Sequence, residues 1–148
     1  MALSAGVEIV ACARTNPSSM ARSRRRSSIP FFDVHKELGF GFREYIYSRA
    51  LYRLLVAKGH RVKREVPVLV YFRGEPLAYE RMDMLVDDVV VIENKAREPL
   101  DPDAQGQLFA ALAATNLEVG LLLHFGKRAR FYRVFFENRF KHRNKQCP

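Results

Sequence analysis

The stretch from Tyr79 to Lys95 constrains the fold more than any other part of this chain. Two apolar runs of strand length, 77–86 and 89–95, flank Asp87-Asp88. Paired runs around a short polar break read as a β-hairpin. Yet Asp83 lies inside the first run, and Glu93 and Lys95 close the second directly after Val89-Val90-Val91-Ile92. Ionised groups within apolar strand sequence are expensive unless they are paired or hold a metal. A fold for this chain has to bring these three charges to a common place.

Strand periodicity sets the terms. Successive side chains alternate faces, so Glu93 and Lys95 project to one side and Asn94 to the other, with the Asn94 carbonyl between them. Asp83 must reach the same site from the neighbouring strand. A two-residue turn at Asp87-Asp88 would set Asp83 opposite Ile92 and divide the acids between faces. A three-residue loop or a bulge sets it opposite Glu93 instead. In that register Asp83, Glu93 and the Asn94 carbonyl form a set of hard oxygen ligands suited to Mg²⁺ or Mn²⁺, and Lys95 is placed to orient water or stabilise an oxyanion. The plainer alternative is a Glu93–Lys95 salt bridge on an exposed strand face, which contributes little.

The rest of the chain supplies an α/β frame. Residues 31–38 have a short helical pattern, followed by Gly39-Phe40-Gly41, where two glycines permit an unusual backbone. From Phe42 to about Lys58 the apolar positions Phe42, Ile46, Ala50 and Leu54 recur every fourth residue, with Leu51 and Leu55 beside them, as in an amphipathic helix that stops at Gly59. Residues 62–71 read as a strand, placed at a sheet edge by Pro67, and 73–76 as a turn. Asp101-Pro102 is expected to cap a helix running to about Thr115. Residues 119–125 form a continuous apolar run, expected as a strand buried on both faces, and 127–136 a last strand. Helix, three strands, helix, strand, strand implies a mixed sheet with helices against it.

Composition narrows the function classes. The chain has 148 residues and is 48% hydrophobic, enough for one domain with a real core. No apolar run approaches the roughly 18 residues that span a bilayer. The net charge of +9 points toward a polyanion, but it sits mostly at the ends. Residues 1–30 hold five arginines and one glutamate, and residues 141–148 hold Lys141, Arg143 and Lys145 with no acid. Basic ends can hold nucleic acid through counterion release; solvated disorder is the simpler account. Residues 1–30 are read as a disordered basic extension. A targeting leader, or a true start at Met20, would also fit such a segment. Cys12 and Cys147 have no zinc-ligand partners, and His35, His60, His124 and His142 are scattered, so neither a disulfide framework nor a zinc site is expected. A reducing, cytoplasmic setting follows.

Several motifs occur together and in order. Asp33 through Tyr47, with Gly41 and Glu44, resembles the signature of the GxxExxY protein family, a branch of the PD-(D/E)XK nuclease-like superfamily. The likeness continues through Gly59 to Pro67, Arg81-Met82-Asp83, Glu93-Asn94-Lys95-Ala96, Gln107-Leu108 and Val119 to Gly126. It implies a restriction-endonuclease-like αβββαβ core over residues 31–140, with a mixed central sheet flanked by helices and a basic tail at 141–148. It further implies Asp83, Glu93 and Lys95 as the active-site triad, Glu44 as a further acid near the metal, and Gln107 as a polar residue facing the site. Tyr47 is read either as a buttress for Glu44 or as core. The expected activity is metal-dependent hydrolysis of DNA or RNA phosphodiesters. The alternative is a noncatalytic nucleic-acid-binding or protein-interaction module, with a homodimer or protein partner also in view. The sequence departs from the family's usual proline at Phe40, leucine near Arg43, glutamine at Glu65 and asparagine at His124.

Overall fold

The computed structural model describes residues 30–141. The basic extension and the basic tail anticipated above lie outside this range, apart from their innermost residues. The elements run α1 (Pro30–Leu38), α2 (Glu44–Ala57), β1 (Val62–Phe72), β2 (Glu75–Val86), β3 (Val90–Lys95), α3 (Ala104–Ala113), β4 (Val119–Phe125) and β5 (Ala129–Phe135), then a short 3₁₀ turn at Asn138–Phe140 that the sequence reading did not anticipate. The five strands are ordered β1-β2-β3-β4-β5. Only β3 and β4 are parallel, joined by the α3 crossover; the other neighbours are antiparallel. This is the mixed sheet of a restriction-endonuclease-like α/β fold.

Strand alternation builds a core on each face. On one side Met84, Val86, Ile92, Leu121, Leu123 and Phe125 meet α1 and α2 through Phe31, Val34, Tyr47, Leu51 and Leu55. On the other, Leu85, Val91 and Leu122 meet α3 through Ala104, Leu108 and Leu112. β4 contributes to both cores, which explains its unbroken apolar run. Gly120 permits the close approach of α3: a Cβ there would come within 2.7 Å of Leu108 Cδ1.

Some local expectations need correction. The buried stripe of α2 is Tyr47, Ser48, Leu51 and Leu55, whereas Phe42 lies before the helix and is exposed. The turn between β1 and β2 is only Arg73-Gly74, both at positive φ, and Glu75 and Pro76 already belong to β2. Asp101 does not cap α3. It closes a turn, its Oδ1 accepting from the Asp103 N–H (2.9 Å), and the helix starts at Ala104.

Candidate active site

The β2–β3 connection decides whether the acids meet. Its pairs are Val86–Val90, Leu85–Val91 and Met84–Ile92, which leaves a three-residue loop, Asp87-Asp88-Val89. Asp87 and Asp88 adopt left-handed backbone, with φ of 53° and 58°, a conformation that aspartate tolerates better than most residues. The Asp87 carboxylate accepts from the Arg61 N–H (2.9 Å) and from His60 Nδ1 (2.7 Å), and Asp88 pairs with Lys63 and Arg61. The loop is thus tied to the start of β1, and its length sets Asp83 across from Glu93.

At that point the ladder stops. The next rung would join Met82 to Asn94, but the pairing ends at Met84–Ile92. The Asn94 N–H donates instead to Asp83 Oδ2, at 2.8 Å. A strand residue's N–H and C=O point the same way, so the Asn94 carbonyl faces the same opening. Its side chain turns to the opposite face, fully buried, with neither amide atom hydrogen-bonded among the described residues.

Glu93 and Lys95 share the Asp83 side of β3, and Lys95 Nζ lies 2.9 Å from Glu93 Oε1, both side chains largely buried. Glu44 opens α2 and comes close enough to interact with Lys95, Asp83 and the Ala96 N–H. Burial pushes all three carboxyls above their ordinary range. For Glu93 the Asp83 charge adds to this, against the pull of Lys95. For Asp83 the Asn94 N–H and Lys95 oppose burial, while Glu65 reinforces it. For Glu44, Lys95 opposes and Asp83 reinforces. Burial works against the Lys95 charge, but contact with Glu93 and the fields of Glu44 and Asp83 outweigh it and hold the ammonium above its usual range. Lys95 is thus the cation common to all three acids.

That donor set suits a hard divalent cation. Two carboxylates and a backbone carbonyl at one opening are oxygen ligands, and Mg²⁺ is commonly held by only one or two carboxylates, with water and substrate completing its shell. Among the described residues no three His, Cys, Asp or Glu side chains form a ready cation cage.

Gln107 is not drawn into this cluster. It precedes the buried Leu108 on α3, is exposed, and its side chain makes no hydrogen bond among the described residues. Tyr47 is core rather than a buttress for Glu44: it stacks on Phe125 (4.5 Å between centroids), and its hydroxyl donates to the Gly39 carbonyl (2.9 Å) and accepts from the Phe42 N–H (3.2 Å).

Two neighbours were not anticipated. Glu65, at φ 54°, faces Asp83 from β1 and forms an ion pair with Arg81 at 2.8 Å. Its position depends on a register shift between Val70 and Tyr71. Without that bulge the tight turn at Arg73-Gly74 would set Met82, not Asp83, across from it. His124 stands beside Lys95 in the parallel register and donates from Nε2 to the Arg97 carbonyl at 2.9 Å, fixing the chain just after the triad. The apolar run around His124 was the available signal, since a polar residue inside it needs a partner.

Comparison with known proteins agrees with this fold. A family model described as the PD-(D/E)XK nuclease superfamily matches residues 26–134, well over half of the chain. The crystal structure of SSO0001 is similar in fold, with a TM-score of 0.51 and 22% identity over 63% of this chain and 50% of that one. The chain thus spans half the length of that solved protein. Among curated proteins none matches.

Proposed function

We propose, for a chain that belongs to the PD-(D/E)XK nuclease superfamily, that it is a metal-dependent nuclease hydrolysing phosphodiester bonds of DNA or RNA. The observation that carries this reading is the excess of buried acid at the splayed end of the β2–β3 ladder, where Asp83, Glu93 and Glu44 share Lys95. The ordered motifs resemble those of the GxxExxY branch, which supports reading the chain as a member of it, and its two lone cysteines suit a cytoplasmic setting.

Asp83, Glu93 and the Asn94 carbonyl would hold Mg²⁺ or Mn²⁺. A cation held there supplies neutralisation of phosphate charge and a lowered pKa for bound water. The protein's own groups do the rest. Lys95 stays protonated at neutral pH, so it acts as a hydrogen-bond donor and point charge toward the attacking water or the developing oxyanion, not as a base. Glu44, at the positive end of α2 and held by the Ala96 N–H, would be a further acid near the metal. Gln107, exposed on α3, is left to a supporting contact with substrate.

The test incubates the purified protein with single- and double-stranded DNA and RNA, with Mg²⁺ or Mn²⁺, beside Asp83→Ala and Lys95→Ala. Metal-dependent cleavage is expected, reduced by about 100-fold or more in each variant. Equal cleavage by all three proteins removes the proposal. Nucleic acid that is shifted but intact supports the second reading, a noncatalytic binding module, favoured by the Glu93–Lys95 ion pair that satisfies both side chains without a metal.

A further inference from the structure

The junction between α1 and α2 combines a fixed backbone with exposed aromatic rings. Gly39 and Gly41 take φ of 69° and 112°, and no atom would meet a Cβ at either. Backbone conformation, not crowding, is what calls for glycine there. The buried Tyr47 hydroxyl ties the Gly39 carbonyl to the Phe42 N–H across the junction. A segment pinned at both ends nevertheless leaves Phe40 51% and Phe42 46% exposed, and Tyr45, one residue past Glu44, 54% exposed.

Scattered exposed aromatics are ordinary; the setting of these is not. Cations are interleaved with them. Lys127 Nζ lies 6.0 Å above the Phe40 ring, Arg49 lies 5.7 Å from the Tyr45 ring, and Arg97 is near enough to Glu44 to draw its pKa down. The helix that leads into the segment is tied to the end of the sheet where the acids meet, as is Lys127. His35 donates to the Gly126 carbonyl at 2.8 Å, and the Lys127 N–H donates to Glu98, three residues past Lys95. Rings beside cations at the mouth of an acid site match what unpaired nucleotides require, a flat apolar face for the base and positive charge for its phosphate. A paired duplex offers its bases to neither.

We propose that the Gly39–Tyr45 segment is a stacking platform for unpaired bases, with Phe40 and Phe42 as its rings and Lys127 and Arg97 on the flanking phosphates. It rests on the nuclease reading only for its purpose, which is to seat a single-stranded nucleotide next to the bond to be cleaved. Binding can be read without cleavage.

The chain contains no tryptophan, so Phe40→Trp places a sole reporter on the platform. In chelator, the full-length Phe40→Trp protein is titrated with a mixed-sequence DNA single strand, the matching RNA strand, and a blunt DNA duplex of the same length. Quenching by single strands but not by duplex is expected, and the stronger of the DNA and RNA arms identifies the natural sugar. Separately, Phe40→Ala and Phe42→Ala are each expected to weaken single-strand affinity by about 5-fold to about 100-fold, with Phe40→Trp close to wild type. Unchanged emission at saturating single strand overturns the platform, as does unchanged affinity in both alanine variants. Quenching without cleavage in Mg²⁺ leaves the platform and removes the nuclease. Cleavage of all substrates without quenching leaves the nuclease and removes the platform.

Discussion

At the scale of single residues, the site works against the stability of its own fold. Asp83 titrates above its ordinary value because burial outweighs the Asn94 N–H and Lys95. Between the ordinary and the raised value the folded protein holds more protons than the unfolded chain. Stability therefore falls as pH rises through that window, and it is not regained above it. Asp83→Asn removes the charge and keeps an oxygen that can accept the Asn94 N–H. At neutral pH and without metal, this variant is expected to gain about 0.5–2 kcal/mol while losing cleavage. Its advantage should shrink as pH is lowered toward 4. Urea melts at pH 7 and pH 4 check it, and a variant less stable than wild type at pH 7 counts against the charge assignment.

At the scale of elements, registers separate what was legible in the sequence from what was not. The unbroken run of β4 identified a strand buried on both faces. The apolar runs around Asp87-Asp88 identified the hairpin, and the demand that Asp83 meet Glu93 required a three-residue loop or a bulge, of which the structure has the loop. Other features depend on contacts that periodicity does not carry. The bulge beside Tyr71, which brings Glu65 opposite Asp83, falls where Pro76 pairs with Tyr71, and a proline near a strand start does not by itself say that the register shifts. Phe42 continues the four-residue spacing of α2, yet the Tyr47 hydroxyl holds its N–H outside the helix. Helix-to-sheet spacing is equally a matter of contact. Gly120→Ala would drive a Cβ into buried Leu108, and overpacking of this kind costs about 1–3 kcal/mol. Because Gly120 lies away from the acids, the cost is expected in thermal stability, with metal dependence of cleavage unchanged. Calorimetry beside an activity assay measures both.

At the scale of the whole molecule, charge is divided by region. Residues 31–140 nearly balance basic and acidic side chains, and the excess lies toward the ends. No helix among the described residues is long and apolar enough to cross a membrane. Within the domain Asp83, Glu93 and Glu44 gather around Lys95, so the fold as a whole should respond to cations there. At about 100 times its Kd, a divalent ion that binds only the folded state adds about 2.7 kcal/mol, or about 5–10 °C in Tm for a domain of this size. Mg²⁺ or Mn²⁺ is expected to raise Tm in wild type and much less in Asp83→Asn. An equal rise in both would place the ion elsewhere.

The three-residue loop between β2 and β3 has one more consequence. Because Asp83, Glu93 and Lys95 lie on a single hairpin, their mutual placement comes from contacts close in sequence, among the first a folding chain can make. Glu44 and the Phe40 ring belong to a distant segment and arrive only when the first two helices dock on the sheet. The proposed triad is thus a local property of the chain, whereas Glu44 and the proposed seat for substrate are long-range ones. Partial undocking of those helices would leave the triad assembled and take the grip away.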